Sequence, residues 1–187
     1  MATSAPTTAG VTTWNIDPAH TLVEFSAKHM MITTVKGRIA DVKGTITIDE
    51  GDLDRSSAEV EFVAASLDTR AEQRDAHLRS ADFLDVETHP TIHFRSTRVE
   101  GARMEAGAEF VVYGELTIRG VSREVKIAAT FEGTGKDPWG GTRASFSGDT
   151  KIDRRDFGLT WNAALETGGV LVSNDIKIHL EVQAVRA

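Results

Sequence analysis

The side chains that could do acid–base or metal chemistry are few, and their spacing argues against most of it. The chain has six histidines, at positions 20, 29, 77, 89, 93 and 179, and no cysteine. Without cysteine there is no disulfide, thiolate metal site or sulfur nucleophile. His89 and His93 are four residues apart, but in extended chain that spacing separates them by about 13 Å. No carboxylate–histidine cluster has metal-ligand spacing. There is no Gly-x-Ser-x-Gly elbow to expose a nucleophilic serine. The run GTGKDPWGG, residues 133–141, lacks both the glycine spacing of a phosphate loop and a Ser or Thr after Lys136. His29 is the exception. It falls on the inward phase of a strand pattern, where a polar group needs a partner. Two readings stay open for it: a core histidine satisfied by protein, or a hydrogen-bond partner for a ligand head group at a cavity mouth. Trp161 and Asp156 lie in an irregular segment that could reach the same mouth, with Trp161 also explicable as packing.

These residues need elements to position them, and almost the whole chain has the period-2 alternation of strands. The strands are predicted over Thr21–His29, Val35–Asp49, Ala58–Ser66, Thr91–Val99, Ala108–Ile118, Arg123–Glu132, Thr142–Ile152 and Asn174–Val185. In Val35–Asp49 the apolar phase moves from odd (Val35, Gly37, Ile39) to even positions (Val42, Gly44, Ile46, Ile48). That shift predicts a β-bulge near Ala40-Asp41. A short helical turn is expected near Thr160–Leu165.

One stretch breaks the alternation, DTRAEQRDAHLRSADFLDVETHP from Asp68 to Pro90. Thr69 and Glu72 have the spacing of a capping box, which predicts a short helix from about Arg70 to Arg79. Ala71, Arg74, Asp75 and Leu78 would share one face of it. The Arg74–Asp75 pair is either a structural clamp or part of a cavity entrance, and the clamp is the better reading.

Eight strands, each with one apolar and one polar face, suggest an antiparallel sheet closed on itself, which removes aggregation-prone edges. Such a barrel either fills with side chains or holds one small ligand. Its inward positions mix Phe25, Phe62, Phe94, Phe110, Phe131 and Phe146 with Ala27, Gly37, Ala64, Gly114, Ala129 and Gly148. Glycines serving curvature inside a filled core is one explanation; a long apolar cavity is the other. Strands of this length would make a barrel roughly 30 Å tall, more than a filled core needs. An apolar tunnel of that shape suits a long-chain lipid, because each buried methylene is worth about 0.8 kcal/mol.

Composition narrows the classes further. A net charge of −7 argues against nucleic acid, whose binding relies on Lys and Arg at phosphates. No run approaches the ~20 apolar residues of a membrane span. Residues 1–12, MATSAPTTAGVT, lack the charged and apolar regions of a secretory signal. They are read as a disordered tail ahead of a single barrel domain over 13–187, and the expected compartment is the cytoplasm.

The segments WNIDPAHT (14–21), SLDT (66–69), RDAHLRSADFLDV (74–86), GELTIRG (114–120) and RDFG (155–158) resemble the YceI-like family over about Trp14 to Ala184. The resemblance implies an all-β fold: an extended eight-stranded antiparallel lipocalin-like barrel with a short helix inserted between the third and fourth strands. It also implies a bound polyisoprenoid or other long-chain lipid, no required cofactor, no established catalysis, and a homodimer. Many relatives are secreted or periplasmic. The expectation is therefore non-catalytic binding, transport or storage of a long-chain isoprenoid lipid, of isoprenoid quinone or polyprenyl phosphate type. The expected ligand contacts are Phe25, Ala27, His29, Phe62, Phe94, Phe110, Val112, Phe146, Trp161 and Ile178, with no catalytic residue and no metal. Two alternatives remain: a packed barrel acting through its surface in stress protection or as a scaffold, and an enzyme using His29 or His77 on an amphiphile head group.

Overall fold

In a computed structural model, residues 10–187 are described. They form β1 (Val11–Ile16), β2 (Leu22–His29), β3 (Thr33–Ile39), β4 (Val42–Asp49), β5 (Ser57–Val63), β6 (Leu67–Asp68), α1 (Glu72–Arg79), β7 (Thr91–Glu100), β8 (Ala108–Ile118), β9 (Val121–Lys136), β10 (Thr142–Asp153) and β11 (Asp175–Arg186). The alternation predicted for the second half of the chain matches β7 to β11 closely at most ends. β9 is the exception, running two residues earlier and four later than read.

Eight of these strands close a ring in the order β1-β4-β5-β7-β8-β9-β10-β11, and β11 returns to β1 through Trp14↔Arg186 and Ile16↔Ala184. All pairings in it are antiparallel. The remaining strands build a second tier at one end. Pro18 has no N–H to donate, and the chain steps through a 3-10 turn at Pro18–His20 that Asp17 caps through its side chain. After this step β2 pairs with β11 further along, β3 pairs with β2, and β6 pairs with β3. No pairing joins β6 to β7 among the described residues; α1 and the segment that follows it lie between them in the chain.

Several expectations are corrected. The helix follows β6, the sixth strand, and is not between the third and fourth. The helix ends at Arg79 as expected but begins at Glu72, two residues after the expected Arg70; β1 and the two-residue β6 are not among the predicted strands, and 35–49 is two strands. The predicted bulge at Ala40-Asp41 is a full break: β3 ends at Ile39, β4 starts at Val42, and Ser66 accepts from Ala40 N–H and, through Oγ, from Asp41 N–H. The phase shift was real, since Ile39, Val42, Ile46 and Ile48 all face the interior. Val11 and Thr12, read as tail, pair with Asp49 and Ile48 of β4; residues 1–9 of that reading lie outside the described residues. The helical turn expected at Thr160–Leu165 does not form. The 3-10 turn is at Arg154–Phe157 instead.

The capping box does not form either. Arg70 takes a left-handed φ of 61°, so the helix cannot begin there, and its N-cap position, Ala71, has no side-chain cap. Thr69 is engaged elsewhere. Its N–H and hydroxyl both donate to Asp75, at 2.9 and 2.5 Å, and its hydroxyl and carbonyl oxygens accept from Arg74 Nε and Nη2, both at 2.7 Å. Arg74 and Asp75 thus act together on Thr69, fastening α1 to the end of β6. Thr69 and Asp75 are both buried. Asp75→Ala leaves the Thr69 N–H and hydroxyl without partners, and the expected cost is about 2–4 kcal/mol. Chemical denaturation measures it, and an unchanged midpoint would show that the clamp contributes nothing to stability.

A second clamp sits at the opposite end. Arg143 Nη1 donates to Asp17 at 2.6 Å and to Gln183 Oε1 at 2.8 Å, while its Nε donates to Asp137 at 2.9 Å. Arg143, and after it His20, hold the Asp17 carboxyl below the ordinary carboxylate value. A depressed carboxylate stabilises the fold above its unfolded-state pKa, so this clamp weakens only as pH falls through the acidic range.

Candidate functional site

The inward faces of the strands enclose two chambers, of about 250 and 420 Å³, both lined almost wholly by apolar atoms. The first lies within the ring of eight strands. Beyond it, Trp14, Ile48, Phe131, Ala144 and Ala184 form a buried cluster against Phe110 and Phe146. The second lies in the second tier, between β2, β3, α1 and the segment around 157–172. Ile39, Ile92, Ile118 and Ile178 line both chambers, so the two meet at a ring of isoleucine side chains.

Every residue read as a ligand contact lines one of these spaces. Phe62, Phe94, Phe110, Val112 and Phe146 face the inner chamber; Phe25, Ala27, His29 and Trp161 face the outer one; Ile178 is shared. Asp156, weighed for the mouth, is exposed and lines neither chamber. Two of the inward glycines leave no open volume. A Cβ at Gly37 would strike the Phe25 ring, and one at Gly114 would strike the Phe94 ring. Each glycine lets a phenylalanine on the neighbouring strand lie flat against the wall.

The outer chamber carries the polar groups. His29 is half-buried and aims into it, with no hydrogen-bond partner for its ring among the described residues. His77, from α1, stands edge-on to both Trp161 (ring centroids 4.6 Å apart) and Phe83 (5.1 Å), while its Nε2 is 2.8 Å from Asp82 Oδ2. Such edge-to-face contacts fix the ring orientation. α1 therefore does more than brace: Gln73, Arg74, His77 and Leu78 are all part of the chamber wall.

Arg154, unremarked in the sequence because Asp153 and Asp156 flank it, organises the rest. It is 4% exposed, and its guanidinium donates to the carbonyls of Ser173 (2.9 Å), Leu159 (2.6 Å) and Trp161 (2.9 Å). Burial pushes its pKa below the ordinary arginine value, and the planar fork suits several carbonyls at once. Asn162 continues the work, bonding both the N–H and the C=O of Val172. Together they hold Trp161, Leu171 and Val172 against the chamber. Among the described residues no group of three or more His, Asp or Glu could hold a metal ion, and no helix is long and apolar enough to cross a membrane.

Comparison with known proteins agrees with this geometry. Residues 14–184 match the model of the YceI-like domain. The chain is 41% identical over 167 residues to the UPF0312 protein of Azotobacter vinelandii, covering 89% of this chain and 82% of that one. Among solved structures it resembles the Campylobacter jejuni YCEI protein that crystallizes with large solvent channels, at 30% identity and a TM-score of 0.72, covering 86% of this chain and 90% of that one. A polyisoprenoid binding domain from Saccharophagus degradans, implicated in plant cell wall breakdown, shares the fold at 14% identity and a TM-score of 0.69, over 93% of this chain and 98% of that one.

Proposed function

Because this chain belongs to the family of YceI-like domains, we propose that it binds one long-chain isoprenoid lipid and carries or stores it without chemical change. The observation that carries the reading is the pair of apolar chambers meeting end to end at the isoleucine ring. A packed barrel would leave no such volume. A branched polyprenyl tail matches a narrow, nearly nonpolar space threaded by phenylalanine and isoleucine. Association costs at least ~4 kcal/mol, which burial at ~0.8 kcal/mol per methylene exceeds within a few isoprene units. The fold neighbour from Saccharophagus degradans, named for polyisoprenoid binding, supports the same ligand class.

The head group would lie in the outer chamber beside His29 and Trp161. The free ring of His29 offers a donor or an acceptor, which suits a quinone carbonyl or a hydroxyl. Arg154 spends its donors on backbone carbonyls, so it is not offered to a phosphate. For His77 the enzymatic alternative gains nothing from the geometry: its ring is wedged between two aromatic rings and its Nε2 is taken up by Asp82.

Mass spectrometry of an organic extract of the purified protein is the direct test. A stoichiometric isoprenoid lipid is the expected result. An empty extract, together with no uptake of added isoprenoid quinone or polyprenol, would sink the reading.

A further inference from the structure

Three consecutive large apolar side chains stand in water at the rim of the outer chamber. Met30, Met31 and Ile32 form the turn between β2 and β3, and are 45, 61 and 76% exposed. Met30 and Met31 both have left-handed backbones, at φ 53° and 66°. Hairpin turns of this hand strongly favour Asn-Gly or similar pairs, and longer side chains are strained there. The protein thus holds apolar side chains at a site where both hydration and backbone preference oppose them. Strain of this kind gathers at functional positions.

The tip is built into the mouth. Met30 N–H donates to Leu171 O at 2.8 Å, His29 bridges to Val172, and the Met31 side chain lies over Gly169. His29, Leu171 and Val172 themselves line the outer chamber. Charge is arranged behind it. Lys28 and Lys36 lie diagonally across the β2–β3 pair, both exposed, with Lys36 also 2.7 Å from Glu24. In a chain of net charge −7, two lysines just behind an apolar tip match a bilayer interface: apolar groups enter the acyl region while ammonium groups stay at phosphate depth.

We propose that Met30-Met31-Ile32 is a membrane-docking tip that seats the barrel mouth on a phospholipid bilayer, so that a lipid passes between bilayer and chamber without crossing water. The purpose of such docking rests on the lipid-carrying function; the docking itself does not. Trp139 is the obvious competitor, 86% exposed in the β9–β10 turn near the opposite end.

The test is flotation of the full chain with vesicles of phosphatidylcholine, alone or mixed with phosphatidylglycerol, containing no isoprenoid. The wild type should float. Met31→Asn combined with Ile32→Ser should lower the partition coefficient about tenfold, since asparagine accepts the left-handed backbone and keeps the hairpin intact. Trp139→Ala should float like the wild type. An unchanged melting temperature in the double variant shows that folding is not the cause. A wild type that does not float, a double variant that floats equally, or loss of flotation through Trp139→Ala would each overturn the proposal. A protein that floats but neither yields an isoprenoid on extraction nor takes up an added one would end the carrier reading and leave the docking tip standing.

Discussion

If the chambers hold an isoprenoid as proposed, replacing Ile118 with tryptophan will separate ligands by length. Ile118 is 9% exposed and belongs to the ring of isoleucines shared by the two chambers. An indole there fills the junction and confines any ligand to the outer chamber. A chain that would have passed about six methylenes into the inner chamber loses about 5 kcal/mol of burial, or between three and four orders of magnitude in Kd. A short isoprenoid that needs only the outer chamber should bind about as well as before. Calorimetric titration with a short and a long polyprenol reads both effects. Overpacking costs stability, typically about 1–3 kcal/mol, and the unchanged short ligand guards against reading that as loss of a site. Equal weakening for both lengths would mean that the chambers do not act in series.

Arg154→Met is the second large effect. It removes the donors of the Leu159, Trp161 and Ser173 carbonyls at once. Each buried acceptor left without a partner costs about 1–3 kcal/mol. We expect the segment from Leu159 to Asn174 to give way first, because it has few strand pairings of its own, essentially the bridges Ala164↔Val170 and Val172↔His29. Limited proteolysis should cut within that segment well below the global melting temperature, and lipid should be released as the Trp161 wall departs. Arg154→Lys should rescue little, since one ammonium cannot reach carbonyls spread around a planar fork. Full rescue by lysine would show that charge, not the pattern of hydrogen bonds, is what Arg154 supplies.

The contrast between these two residues shows what could be read in advance. Ile118 belonged to a strand whose alternation runs without a fault from Phe110, so its inward direction followed from period 2 alone. The same logic placed Phe62, Phe94, Phe146 and Ile178 on the cavity side and located the break at Ala40-Asp41. Arg154 bonds to backbone carbonyls, and carbonyls have no identity in a sequence; nothing in Asp-Arg-Arg-Asp separates a buried arginine from a solvated one. Thr69 misled for a related reason. Its spacing to Glu72 fits a helix cap, but Asp75 competes for the same hydroxyl and wins because it also accepts the Thr69 N–H. The strand β1 went unread because only Trp14 and Ile16 of its six residues are buried, too few to show a period. β6 is two residues long and exists only because β3 offers it an edge. The tandem form of the cavity was out of reach as well, because it depends on how isoleucines from β3, β7, β8 and β11 converge.

The unpaired boundary between β6 and β7 gives the molecule a hinge line. Within the ring each strand is joined to its neighbours by backbone hydrogen bonds, and parting two of them means breaking a ladder. β6 has only a two-residue ladder, to β3, and α1 is fastened to it by point attachments, Arg74 and Asp75 to Thr69 and Arg79 to the carbonyls of Ala65 and Leu67. Such attachments can let go a few at a time, so the outer wall can swing aside while the inner ring keeps its circumference. Local openings of that kind have low free energy compared with global unfolding. The closed ring is thereby the rigid part of the molecule, and the wall carried by α1 and β6 is the part best able to open.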